Sequence, residues 1–178
     1  DIQFVGSLSP IRIDFNRFQE KLKEETVNNA LARIKSNDPY KLLSYFLMDE
    51  KQARAYSSGA RINSDNHPRL EFTTPKYLYI FTFGSNMESL VPFLTSPLTI
   101  INNSISPEET SRIETYASFR KHIMQGEAFQ ERSYWQGAVT EFEAALQLFP
   151  DNDTTKQLLV EAYEYLGTEY AAGGGRTG

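Results

Sequence analysis

Asp65, His67 and Glu71 fall within seven residues, in the stretch Asn63-Ser64-Asp65-Asn66-His67-Pro68-Arg69-Leu70-Glu71-Phe72. Two carboxylates and an imidazole at that spacing can ligate a divalent cation or pass a proton near neutral pH. The same residues also make an ordinary turn. In that reading Asn63 and Asp65 bond their own backbone, Pro68 holds His67 extended, and Glu71 pairs with Arg69 or Arg61. The turn is the commoner use of polar residues clustered before a proline. The other histidine, His122, lies between Phe119 and Ile123 on a helical stretch and reads as a packing or capping residue. No His-Glu-x-x-His, Gly-x-Ser-x-Gly or phosphate-loop pattern occurs. No catalytic residue, metal ligand or cofactor is assigned.

Composition narrows the classes further. The chain has 178 residues, 40% of them hydrophobic and 23% charged, which is a globular balance. With 12 Phe and 10 Tyr, a substantial core can form. The net charge of −5, with lysines and arginines scattered among acids, argues against a nucleic-acid surface. Cysteine is absent, which excludes disulfides, thiolate zinc sites and cysteine nucleophiles together. The most apolar run, Tyr77 to Phe83, is too short to span a membrane.

The elements that must position these residues are mainly helical. Asp1 to Gly6 has strand character, and a second short β element is expected near residues 69–73. Asp14 caps a helix with Phe15, Phe18 and Leu22 on one face, and Val27, Ala30, Leu31 and Ile34 continue the period. Asp38-Pro39 restarts it, with Leu42, Leu43, Phe46 and Leu47 as a buried face. Asp49 and Gln52 resemble a capping box for a helix ending near Gly59. The run 76–83 is consistent with strand or helix, and Asn86 to Leu94 reads as helix. Residues 96–106 form the best linker. Ser106-Pro107-Glu108-Glu109 then combines an N-cap, a first-turn proline and a capping-box acid.

From His122 onward, apolar residues fall at Gly126, Phe129, Ala138, Phe142, Ala145 and Pro150. These offsets resemble the tetratricopeptide repeat, a helix–turn–helix unit of about 34 residues that alternates bulky and small side chains. The resemblance implies that Gly126 admits the paired helix, Phe129 fills the space between helices, and Ala138, Phe142 and Ala145 face them. Where the family carries a large aromatic residue and a leucine, this chain has His122 and Gln125. Trp135 is expected to anchor the turn. One repeat length on, Leu159 and Tyr163 match the offsets of Gln125 and Phe129, so 154–170 resembles the first helix of a second unit that caps the array. Any amphipathic helical hairpin produces part of this pattern. About three repeats are needed for a stable solenoid, so further packing surface is expected from elsewhere.

The Asn63–Phe72 stretch with Pro75 resembles the Asn-Thr-Asp-Asp-x-Pro-x-Leu-Glu-Phe segment near the C-terminal end of spermidine-synthase-like proteins. Ser64 replaces Thr and Asn66 replaces Asp. The resemblance covers about residues 1–95 and implies that 76–83 is helical. It also implies a parent with a Gly-rich nucleoside-binding turn and an amine-orienting Asp. The Gly-rich turn is not in this sequence, since its one glycine cluster, Gly173 to Gly175, follows a helix instead of a strand.

Together these readings describe a mainly α chain of helical hairpins. Residues 1–95 form a spermidine-synthase-like segment, 96–106 a linker, 107–172 a repeat-like part and 173–178 a flexible tail. The expected function is a non-catalytic, C-terminal protein-interaction or assembly module. The alternative is part of an aminopropyltransferase whose 61–75 loop, including Asn63, Asp65, His67 and Glu71, borders the active site. A protein or peptide partner is expected in a groove of helices 112–130, 136–148 and 154–170, with Arg120, Lys121, Gln125 and Glu127 as exposed candidates. Neither a nucleic acid nor a membrane span is expected, and a cytoplasmic setting is favoured.

Overall fold

A computed structural model describes residues 9–60 and 82–173. The expected β elements at 1–6 and 69–73, the loop carrying Asn63, Asp65, His67 and Glu71, and most of 76–83 lie outside the described residues. Within them the chain is mainly α, and a single parallel bridge, Ile13 to Ile101, is the β-type pairing present. Two compact units form. One takes residues up to Arg54 with Phe93–Ser118, and the other takes Ala55–Pro92 with Phe119 onward.

In the first unit, helix α1 (Phe15–Lys23) starts where the Asp14 carboxylate accepts from the Arg17 amide at 3.1 Å. The Asn103 side chain accepts from the Phe15 amide at 2.7 Å, satisfying another donor that the first helical turn leaves open. Helix α2 (Glu25–Arg33) follows after an extended Glu24. The period at Val27, Ala30 and Leu31 is helical as expected, but none of α2 is buried, and Ile34 falls outside the helix as its C-cap, 67% exposed. Its end is a Schellman closure, with Ser36 N–H bonded to Leu31 C=O and Lys35 held at φ 51°.

Helix α3 (Pro39–Leu43) is capped by Asp38 as expected, through the Lys41 amide at 2.8 Å. It is shorter than the sequence suggested. The Ser44 hydroxyl takes the Lys41 carbonyl at 2.6 Å, and the following amides make tighter bonds from Ser44 to Phe46. Leu43 is therefore buried, while Leu42, Phe46 and Leu47 are only half-buried. Helix α4 (Glu50–Tyr56) opens on the Asp49 side chain, which accepts from the Gln52 amide at 2.8 Å.

Residues 96–106, read above as a linker, are packed instead. Pro97–Ile100 makes a 3-10 turn with Pro97 and Ile100 buried. The Ile13 amide donates to Ile100 C=O at 2.7 Å, and the Asn102 amide donates to Ile13 C=O at 3.0 Å. Helix α6 (Pro107–Glu131) begins in the expected reciprocal box. The Glu109 amide donates to Ser106 Oγ at 3.1 Å, and the Ser106 amide donates to the Glu109 carboxylate at 2.8 Å.

Phe15, Tyr40, Leu43 and Ile113 form this unit's core. The Arg112 guanidinium sits 3.9 Å from the centre of the Tyr40 ring, a cation–π contact. Burial first, and then the nearby Asp38 carboxylate, push the Tyr116 phenol above its ordinary value, with Arg112 opposing.

In the second unit, helix α5 (Phe83–Leu90) starts earlier than the expected Asn86 and gives way to the 3-10 turn Val91–Phe93. Pro92 lacks the N–H that an α-helix would use there. The Gly84 amide donates to the Glu131 carboxylate at 2.7 Å, and Glu88 pairs with Arg132. Helix α7 (Trp135–Leu148) follows α6 through a second Schellman closure. Tyr134 N–H bonds Phe129 C=O at 2.9 Å, and Ser133 stands at φ 57°. Helix α8 (Asp153–Gly173) is capped by Asn152, whose side chain accepts from both the amide and the hydroxyl of Thr155 at 2.9 Å.

Candidate functional site

The repeat-pattern residues meet where the helical hairpin closes. Gly126 on α6 is buried, and a Cβ placed there would overlap the Phe142 ring of α7. Phe142, Ala138, Ala145 and Ala162 are each fully enclosed, with Ile123 and Val139 beside them. Small residues at 138, 145 and 162 let the backbones approach closely, and Phe142 fills the space between them. Phe129 is half-buried, its ring edge-on to Tyr134 with centroids 5.2 Å apart, and Pro150 is exposed beyond the end of α7. Five of the six pattern residues thus take part in packing, and Pro150 terminates.

Polar links join the same helices. His122 is not a simple packing residue: its Nδ1 lies 2.7 Å from the Glu141 carboxylate. Of the expected groove residues, Lys121 is exposed, whereas Arg120, Gln125 and Glu127 are half-buried. Burial holds the Glu127 carboxyl above its ordinary range. Arg120 opposes that shift and Glu131 adds to it. Trp135, expected to anchor the turn, is the first residue of α7 and finds its partner in another helix. Its indole stacks on Tyr165 of α8 at 4.4 Å and an interplanar angle of 10°.

Helix α8 is one-sided. Thr155 and Ala162 are buried, and Leu158, Leu159 and Leu166 pack against the core cluster. Val160 stands on the side away from that core at 57% exposure, and Tyr163 and Tyr170 stand on the adjoining flank at 47% and 68%. Gly167 lies among them with nothing within 4 Å of where a Cβ would stand. Positions 160, 163, 167 and 170 alternate steps of three and four, the spacing of a seam that meets another helix. The Tyr163 hydroxyl donates to Glu143 at 2.5 Å, a bond that raises the phenol above its ordinary value. A shallow depression beside the seam is lined by Lys156, Gln157, Val160, Glu161 and Glu164.

No family model, curated protein or solved structure matches the chain.

Asn63, Asp65, His67 and Glu71 remain outside the described residues, and among those described no three His, Asp or Glu side chains gather as a metal site. No helix among them is long and apolar enough to cross a membrane. The sequence reading missed the α8 seam. Its three-and-four spacing is visible in the sequence, but Leu158, Leu159, Ala162 and Leu166 offer a competing stripe. Only packing on α7 decides which stripe stays open.

Proposed function

We propose that this chain is a non-catalytic protein-interaction module of helical hairpins, with a tetratricopeptide-like C-terminal part. The observation that carries the reading is the open seam of α8, where Val160, Tyr163 and Tyr170 are exposed on a helix that buries Thr155 and Ala162. Large apolar side chains grouped on one exposed helical face mark surfaces that bind other macromolecules. Helical partners dock on such faces through residues at three-and-four spacing. Ala162, Leu158, Leu159 and Leu166 pack α8 into the cluster of Phe142, so that a partner would meet a preformed surface.

The kinship with spermidine-synthase-like proteins belongs to the same proposal and rests on the Asn63–Phe72 motif alone. It would make the module an appendage of a cytoplasmic polyamine-type enzyme. A photocrosslinking side chain at Val160, introduced into the chain in the cells that produce it, tests the reading. A discrete protein adduct, missing when the same group replaces exposed Lys21, is expected. No adduct from Val160 contradicts it.

A further inference from the structure

Resting on that reading, we infer that the open face of α8 takes a basic amphipathic helix, with apolar residues along the seam and lysine or arginine at its edge. The charge around the seam is one-sided. Helix α8 carries Asp153, Glu161, Glu164 and Glu169 against Lys156 alone. Lys156 is already turned toward Asp153 and Asp151, at 3.7 and 4.0 Å. Glu161 and Glu164 enter no ion pair among the described residues. With Lys156 they line the shallow depression at Val160, on the side of the valine away from Tyr163 and Tyr170, where a long basic side chain can lay its methylenes on the valine and its charge beside the carboxylates.

The seam also sets the partner's shape. From Val160 to Tyr170 it runs about three helical turns, or roughly 15 Å. Gly167 leaves a notch between the flanking tyrosines that receives one bulky apolar side chain, as a knob enters a hole. An extended peptide, whose side chains alternate every second residue, does not follow this stripe. The same acids speak against other occupants. An anionic membrane or nucleic acid would be repelled.

The test presents the full chain to a displayed library of three-turn helices. Apolar residues occupy the seam positions, and flanking positions vary among Lys, Arg, Glu, Gln and Ser. Enriched sequences are expected to carry Lys or Arg at the flanks. They should bind the Glu161→Lys/Glu164→Lys protein at least about tenfold more weakly, since two attractions become repulsions. Added salt should weaken the wild-type complex. Enrichment that needs Val160, lost in Val160→Asp, but shows no basic bias overturns this inference and leaves the docking role standing. Enrichment indifferent to Val160→Asp, or none at all, overturns both. Sedimentation showing a dimer that Val160→Asp dissolves assigns the face to a second copy and also overturns the inference. Circular dichroism of each variant confirms that the exposed substitutions leave the helices intact.

Discussion

Gly126 lies directly against the ring of Phe142, so close that one added methyl group would occupy the ring's own space. Both residues are buried, on helices that enclose the same core. Glycine lowers helix propensity by roughly 1 kcal/mol relative to alanine. Here the close approach it allows outweighs that loss, because the ring has no room to retreat.

Gly126→Ala is therefore expected to destabilise the second unit by about 1–3 kcal/mol, the range for overpacking a filled core. Trp135 is the chain's one tryptophan and stacks on Tyr165 in this unit, so its fluorescence reports the unit's unfolding in urea. Phe142→Leu added to Gly126→Ala should recover part of the loss. Strictly additive effects would show that the two positions do not collide.

Ser133 closes α6 in the left-handed region, at φ 57°. A residue with a Cβ is held there at a cost of about 1–2 kcal/mol, which glycine avoids while adding unfolded-state entropy. Ser133→Gly should raise stability by about 0.5–1 kcal/mol by the same fluorescence measurement. A loss would mean that the turn is not the one described.

At the start of α6, Ser106 and Glu109 satisfy each other's backbone amides. Ser106→Ala should lower the stability of the first unit by about 1 kcal/mol. Ser106→Asp should retain most of it, because a carboxylate accepts the same bond. Amide exchange of residues 109 and 110 reads the difference, and unchanged protection in Ser106→Ala contradicts the cap.

The Glu127 carboxyl is held above its ordinary range, mainly by burial, so the folded chain binds that proton more tightly than the unfolded chain does. Stability from this group is complete below the unfolded value and falls as pH rises through the folded one. Glu127→Gln should thus stabilise the second unit at neutral pH, with a gain that shrinks on acidification through the folded pKa. A gain that grows toward acid reverses the sign and removes burial as the cause.

Local signals were the legible ones. Asp14, Asp38, Asp49 and Ser106 each bond an amide three residues on, so their caps could be read from neighbouring letters. The hairpin around Gly126 and Phe142 was legible because its small and large residues recur at fixed offsets. Residues 96–106 were not. Their order comes from Ile13 and from the Phe15–Asn103 bond, whose partners stand 88 positions apart. The exposure of α2 and the Trp135–Tyr165 stack escaped for the same reason. Of the candidate site, the spacing of Val160, Tyr163, Gly167 and Tyr170 was present in the sequence. Which side of α8 stays open is decided by α7.

The most direct measurement uses the absence of cysteine from the chain. Single Val160→Cys and Ala162→Cys variants, each treated with a maleimide under native conditions, compare the two sides of α8. Position 160 should label at nearly the rate of a free thiol, and position 162, fully enclosed between helices, orders of magnitude more slowly. Equal rates at the two positions would contradict a one-sided helix, and with it the docking surface.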